Sequence, residues 1–210
     1  MGVLIRLASH TVDNTIVVFM RNLTGTLLLT PFILSQGKDF LVTHKPWMHL
    51  WRALVGLAAM YGFFYAIAHL PLSNAMVFTY SSPVFIPLVA WLFLKERITP
   101  LMLLAAFVGL IGVGLVAKPD VGMFNWLSLV GISSSFLAAM AFVTVRALAA
   151  TEPATRTVFY FCLIATFVSA IPMCWHWRIL TLQELYYLVG AGTLATISQI
   201  SLSKAYAYAP

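Results

Sequence analysis

AMVFTYSSPVFIPLVAWLFL, residues 75–94, is an apolar run long enough to cross a bilayer, and it carries two prolines four residues apart, Pro83 and Pro87. Proline has no N–H to donate and its ring clashes with the carbonyl four residues back. The carbonyls of Thr79 and Pro83 are therefore expected to lose their helical partners. In hydrocarbon such a group must be met by protein, water or ligand. A span broken in this way implies a polytopic membrane protein whose third span borders a cavity, most simply a transport pathway.

The rest of the chain supports that class. Hydrophobic residues make up 61% and charged residues 9%, against roughly 25% charged in a soluble domain. Apolar runs recur at 12–34, 50–70, 75–94, 101–117, 123–145, 158–175 and 185–202. Each approaches the roughly 17 to 25 residues that a spanning helix needs. They leave no room for a soluble domain. The opening MGVLIRLAS is apolar but too short to span, and no small-residue cleavage site follows it, so it reads as the tail of a span rather than as a signal peptide.

The net charge of +6 does not indicate nucleic acid, because the basic residues are sorted by face. With alternate connections assigned to opposite sides, Lys38, Lys45, Arg52, Lys95, Arg97, Arg146, Arg156 and Lys204 share one face. Arg6, Lys118 and Arg178 share the other, and Arg21 lies within a span. The positive-inside rule makes the first face cytoplasmic. Trp47 with Trp51, and Trp175 with Trp177, flank span ends as interfacial anchors do. The expected location is the cytoplasmic membrane, crossed several times, with lipid as the surrounding partner.

Internal spacing suggests a repeat. Arg6 and Arg146 are 140 residues apart, Pro31 and Pro172 are 141 apart, and Pro71 and Pro210 are 139 apart. Tyr65-Ala66 and Lys204-Ala205 keep the same interval. One unit then holds five spans, and because five is odd the second copy must be inverted relative to the first, a plan known from secondary transporters. The fold class expected is all-α, a transmembrane bundle of two inverted five-helix repeats. The first repeat is placed at 1–119, lacking most of its first helix, and the second at 120–210, lacking its last two. On this reading the chain is a fragment, and residues 1–210 alone are expected to transport nothing.

Several pieces resemble the EamA-type members of the drug/metabolite transporter superfamily. They are FMR (19–21), FFYAIAHLPLSNA (63–75), YSSPVF (80–85), LKERIT (94–99) and GLIGVGLVAKP (109–119), with a looser likeness in KAYAYAP (204–210). The resemblance covers nearly the whole chain. It implies a ten-helix carrier that moves small metabolites or drugs by alternating access, without specifying the solute or its direction. Half-size members of the superfamily work as dimers, so the resemblance leaves a homodimer open as the source of missing helices.

Candidate pathway residues follow from the polar atoms that the apolar spans contain. Arg21 lies about 7 to 9 residues, or about 10 to 14 Å, into its span, where a charge is costly and reads as functional by default. It would attract an anionic group of the substrate or pair with a carboxylate. The alternative is that its stem snorkels outward or that it caps a neighbouring helix. Tyr80, Ser81, Ser82 and Pro83 set hydroxyls beside unpaired carbonyls, a polar patch suited to a solute. The alternative is that the hydroxyls only repair the backbone. Asn74, Thr79 and Pro87 complete the set. Glu96, between Lys95 and Arg97, is a signature position by the resemblance; pairing with a basic neighbour at the helix end is its plainer role. His69 reads as interfacial, and Gly109, Gly112 and Gly114 with Ala105 form a small-residue surface for helix packing.

Other classes lack their residues. There is no HExxH helix, no nucleophile elbow and no pair of intramembrane aspartates. Asp13, Asp39, Glu96, Asp120, Glu152 and Glu184 fall at span ends or in loops, so an enzyme is not expected. The five histidines and two cysteines show no metal or disulfide spacing, and no cofactor is expected. A sensor or assembly subunit without transport, or an inactive transporter fragment, is the competing reading; a receptor bundle has no need of a 140-residue repeat.

Overall fold

A computed structural model describes residues 1–95, 99–117 and 126–208. Over these it is all-helical: α1 (Gly2–Ala8), α2 (Asn14–Ser35), α3 (Pro46–His69), α4 (Leu72–Tyr80), α5 (Ser82–Leu94), α6 (Pro100–Ala117), α7 (Trp126–Ala149), α8 (Ala154–His176) and α9 (Leu182–Tyr208). A 3-10 turn, Lys38–Leu41, interrupts the connection from α2 to α3. Six described segments are long and apolar enough to cross a membrane: α2, α3, α4 with α5, α7, α8 and α9. At the α-helical rise, the 22 residues of α2 extend about 33 Å, the thickness of a hydrocarbon core. The sequence suggested seven spans. The run at 101–117 forms α6, whose 18 residues fall within the length a spanning helix needs.

The helix ends follow from local chemistry. Asp13 is the N-cap of α2, and its carboxylate accepts from the Thr15 N–H at 2.8 Å. Burial pushes the Asp13 carboxyl up, but bonds from Thr15 and the nearby His176 outweigh it and hold it below the usual carboxylate range. Pro46 opens α3, where its missing N–H costs nothing. Thr181 and Glu184 form a capping box at the start of α9: the Thr181 N–H donates to Oε2 of Glu184 at 2.9 Å, and the Glu184 N–H donates to the Thr181 hydroxyl at 3.3 Å. Arg6 donates to the last carbonyls of α3, those of Ile67 and Leu70, closing that helix just before Pro71.

The core forms where α2 packs on α8 and α9, and α3 packs on α7 and α8. Phe64, Phe161, Ile16, Ile67 and Leu188 are buried there. The α2 and α8 helices approach so closely that a Cβ on Gly25 would lie 2.7 Å from the Cys162 sulfur. Thr26 and Thr166 share a hydroxyl–hydroxyl bond of 3.2 Å across the same contact. The glycines singled out on α6 contribute less. Gly109 faces Val84 of α5, but nothing lies within 4 Å of a Cβ on Gly112, Ala105 is exposed, and the Gly114 side-chain position lies outside the described part.

Each end of the bundle is tied by a polar clasp. At one end the Thr43 hydroxyl and Arg156 both donate to Glu152, at 2.6 Å each, and Arg156 also donates to the Phe40 carbonyl. At the other, Arg178 donates to the Thr11 carbonyl at 2.7 Å and to Glu184 at 2.5 Å. Trp47, Trp175 and Trp177 are exposed near these ends, as interfacial anchors would be.

Candidate functional site

The third span does break, and the break is one residue long. α4 ends at Tyr80, Ser81 forms the turn, and α5 starts at Ser82 with Pro83 in its first turn. A proline there loses no helical hydrogen bond. The freed carbonyls are met by hydroxyls. Ser82 donates to the Thr79 carbonyl at 2.9 Å, and Ser81 donates to that of Phe78 at 2.7 Å. Ser135 of α7 reaches the same Phe78 carbonyl and accepts from Ser81 at 3.0 Å. Backbone repair, the plainer reading of these serines, is thus their observed geometry.

Beside the break lies a cavity of about 180 Å³ bounded by α2, α3, α4, α5, α7, α8 and α9. Its polar lining includes Arg21, Arg52, Thr79, Ser82, Ser134, Ser135 and Gln199. Its apolar wall is aromatic, with Phe63, Phe64, Phe78, Phe142 and Phe161. Gly131 lets Phe78 come against α7, since a Cβ there would meet the ring at 2.5 Å.

Of the residues singled out by sequence, Arg21, Thr79 and Ser82 reach this cavity. Ser81 is buried beside it, bonded to backbone and to Ser135. Asn74 is half-buried near the start of α4, where its amide oxygen accepts from Ser73. Tyr80 points outward and is 72% exposed; Pro83 is exposed and Pro87, inside α5, is half-buried. Glu96 lies outside the described residues. His69 is exposed at the end of α3, bonded to the Tyr65 carbonyl.

The residue that sequence reading missed is Arg52. Its position near the start of α3 placed it among the interfacial cations, yet it turns inward and is 2% exposed, as is Arg21. Both guanidinium groups lie over the Phe161 ring, with Arg52 Cζ 3.7 Å and Arg21 Cζ 5.3 Å from its centroid. Arg52 donates to Gln199 Oε1 at 2.7 Å and Arg21 to Asn22 Oδ1 at 2.7 Å. Gly56, one turn on from Arg52, leaves room for its guanidinium.

A bundle of membrane-length helices around a partly polar internal cavity, with a broken helix on its wall, is the architecture of a membrane transporter rather than of an enzyme. Residues 1–118 match the EamA-like transporter family, and the chain belongs to that family. It is 33% identical over 211 residues to the pseudopaline exporter CntI of Pseudomonas aeruginosa, covering 99% of this chain and 74% of that one. An S-adenosylmethionine uptake transporter of Rickettsia bellii is 27% identical, over 90% of this chain and 65% of its own. A riboflavin transporter of Rhizobium johnstonii is 28% identical, over 87% and 61%. A solved crystal structure superimposes with a TM-score of 0.69 at 18% identity, covering 96% of this chain and 76% of the other, which shows the shared fold.

Proposed function

We propose that the protein carries a small organic metabolite across the cytoplasmic membrane by alternating access. The observation that carries this reading is the cavity between the helices, which joins buried cationic and hydroxyl groups to an aromatic wall beside a broken span. Arg21, Thr79 and Ser82 form its pathway lining; Asn74, Tyr80, Ser81, Pro83 and Pro87 shape or flank the break; Glu96 follows them in the sequence. Residues 1–119 and 120–210 act as two inverted halves. The bond between Thr26 and Thr166, exactly the repeat interval of 140 apart, supports that division because symmetry mates meet at a two-fold axis. A homodimer is one arrangement that would supply further helices.

Flux into or out of vesicles tests the reading. The solutes named for the relatives, pseudopaline, S-adenosylmethionine and riboflavin, form the first panel. Cysteine scanning from Asn74 to Pro87 is expected to give labelling that a transported solute protects. Labelling that no transported solute protects would remove these residues from the pathway.

A further inference from the structure

Two guanidinium groups share one ring at the cavity wall, and no carboxylate compensates them among the described residues. The described acidic side chains are committed elsewhere: Asp13 caps α2, Glu152 is held by Thr43 and Arg156, and Glu184 by Arg178 and the start of α9. The protein acceptors that Arg21 and Arg52 have are neutral amide oxygens. Nε of Arg21, and Nε and Nη1 of Arg52, are buried donors without a partner. An uncompensated charge away from water is costly, and two like charges side by side cost more. A bound anion relieves both.

We propose, building on the transport reading, that this pair binds an organic oxyanion, a carboxylate or a phosphate ester, carried on an apolar or aromatic body. The planar donor fork of arginine suits two-oxygen acceptors. The Phe161 ring, over which both guanidinium groups lie, holds the donors beside the cavity. Phe63, Phe64, Phe78 and Phe142 offer the remaining surface to the body of the ligand. A cationic or neutral solute would leave the donors unanswered.

Thermal unfolding of the purified chain in detergent, at fixed ionic strength, tests this without requiring flux. The probes are phenylacetate and phenyl phosphate, with phenylacetamide as the neutral control, phenethylamine as the cationic one, and chloride as the simple anion. Saturable stabilisation by one or both oxyanions, and none by the amide or amine, is the expected result; which of the two binds more tightly names the group. Arg52→Gln is expected to weaken that binding by ~10-fold or more, the weight of a charge-assisted hydrogen bond. If Arg52→Gln does not fold, Arg52→Lys supplies the same readout, because it keeps the charge and loses the fork. Equal stabilisation by phenylacetamide, an oxyanion effect that neither Arg52→Gln nor Arg52→Lys alters, or an effect that chloride reproduces in full would overturn the proposal. Oxyanion binding without flux of any solute supports the anion site, the missing flux being what residues 1–210 alone are expected to give. Flux of neutral solutes without oxyanion binding would overturn the anion site and leave the transport reading standing.

Discussion

A methyl group on Gly56 would lie 2.9 Å from Nη1 of Arg52 and 3.1 Å from Cε2 of Phe161. Alanine is favoured over glycine inside a helix by roughly 1 kcal/mol. Overpacking against the buried Phe161 ring costs about 1 to 3 kcal/mol and exceeds that gain, so Gly56→Ala is expected to lower the melting temperature by a few degrees and to cut transport several-fold, because the guanidinium is pushed from the ring; unfolding and flux measured on one preparation check it. Ser135 acts on the fold through hydrogen bonds. It bonds the carbonyl exposed by the break and accepts from Ser81, and interhelical hydrogen bonds in membranes are worth about 0.6 to 1.7 kcal/mol. Ser135→Ala should lower the melting temperature by roughly 2 to 4 °C; an unchanged transition would show that Ser81 alone satisfies Phe78. These sites differ in legibility. Arg21 stood out because it interrupts the middle of an apolar run. Arg52 did not, because a cation near the end of a run ordinarily snorkels to the interface. The Phe161 ring of α8 and the Gln199 amide of α9 turn it inward, and both contacts depend on how the helices pack.

At the scale of elements, the two prolines announced the break but not the fate of its carbonyls. Which hydroxyl meets which carbonyl depends on how α4 is rotated against α7, a tertiary matter that no spacing within one span encodes. The clasp between α7, α8 and the loop after α2 was likewise invisible, since Thr43 and Glu152 are 109 residues apart. It makes a pH prediction. Burial pushes the Glu152 carboxyl up, but the bonds from Thr43 and Arg156 and the charges of Arg156 and His49 outweigh it and hold it below its ordinary value of 4.5. A carboxyl whose folded pKa is depressed contributes stability above its unfolded pKa and loses it as pH falls through the folded one. Wild type should thus exceed Glu152→Gln in thermal stability at pH 7, and the difference should shrink as the pH drops below about 4.5. A gap constant from pH 7 to pH 3 would show that the charge of Glu152 is not what holds the loop.

Across the whole molecule, the clasps agree with the alternation of charge along the chain. Thr43 and Glu152 belong to connections assigned to the cytoplasmic side, and Thr11 and Arg178 to connections on the opposite side. In a Cys174→Ser background, a membrane-impermeant thiol reagent is expected to label His44→Cys from the cytoplasmic side and Ile179→Cys from the other. Labelling of both from one side would overturn the topology. The helical membrane class was legible because composition and run length leave no alternative; the length of the third-span break and the thin packing of α6 were not. The hydroxyls that mend the break are bonded to backbone, whereas the cationic pair sits on α2 and α3, outside the mended segment. Ser82 and Ser135 do both, mending the break and lining the cavity, whereas the cationic pair is free of the first task. A lineage can exchange the half-buried wall residues Phe63 and Phe142 and drift toward new solutes while the serines and the buried rings of Phe64, Phe78 and Phe161 stay fixed.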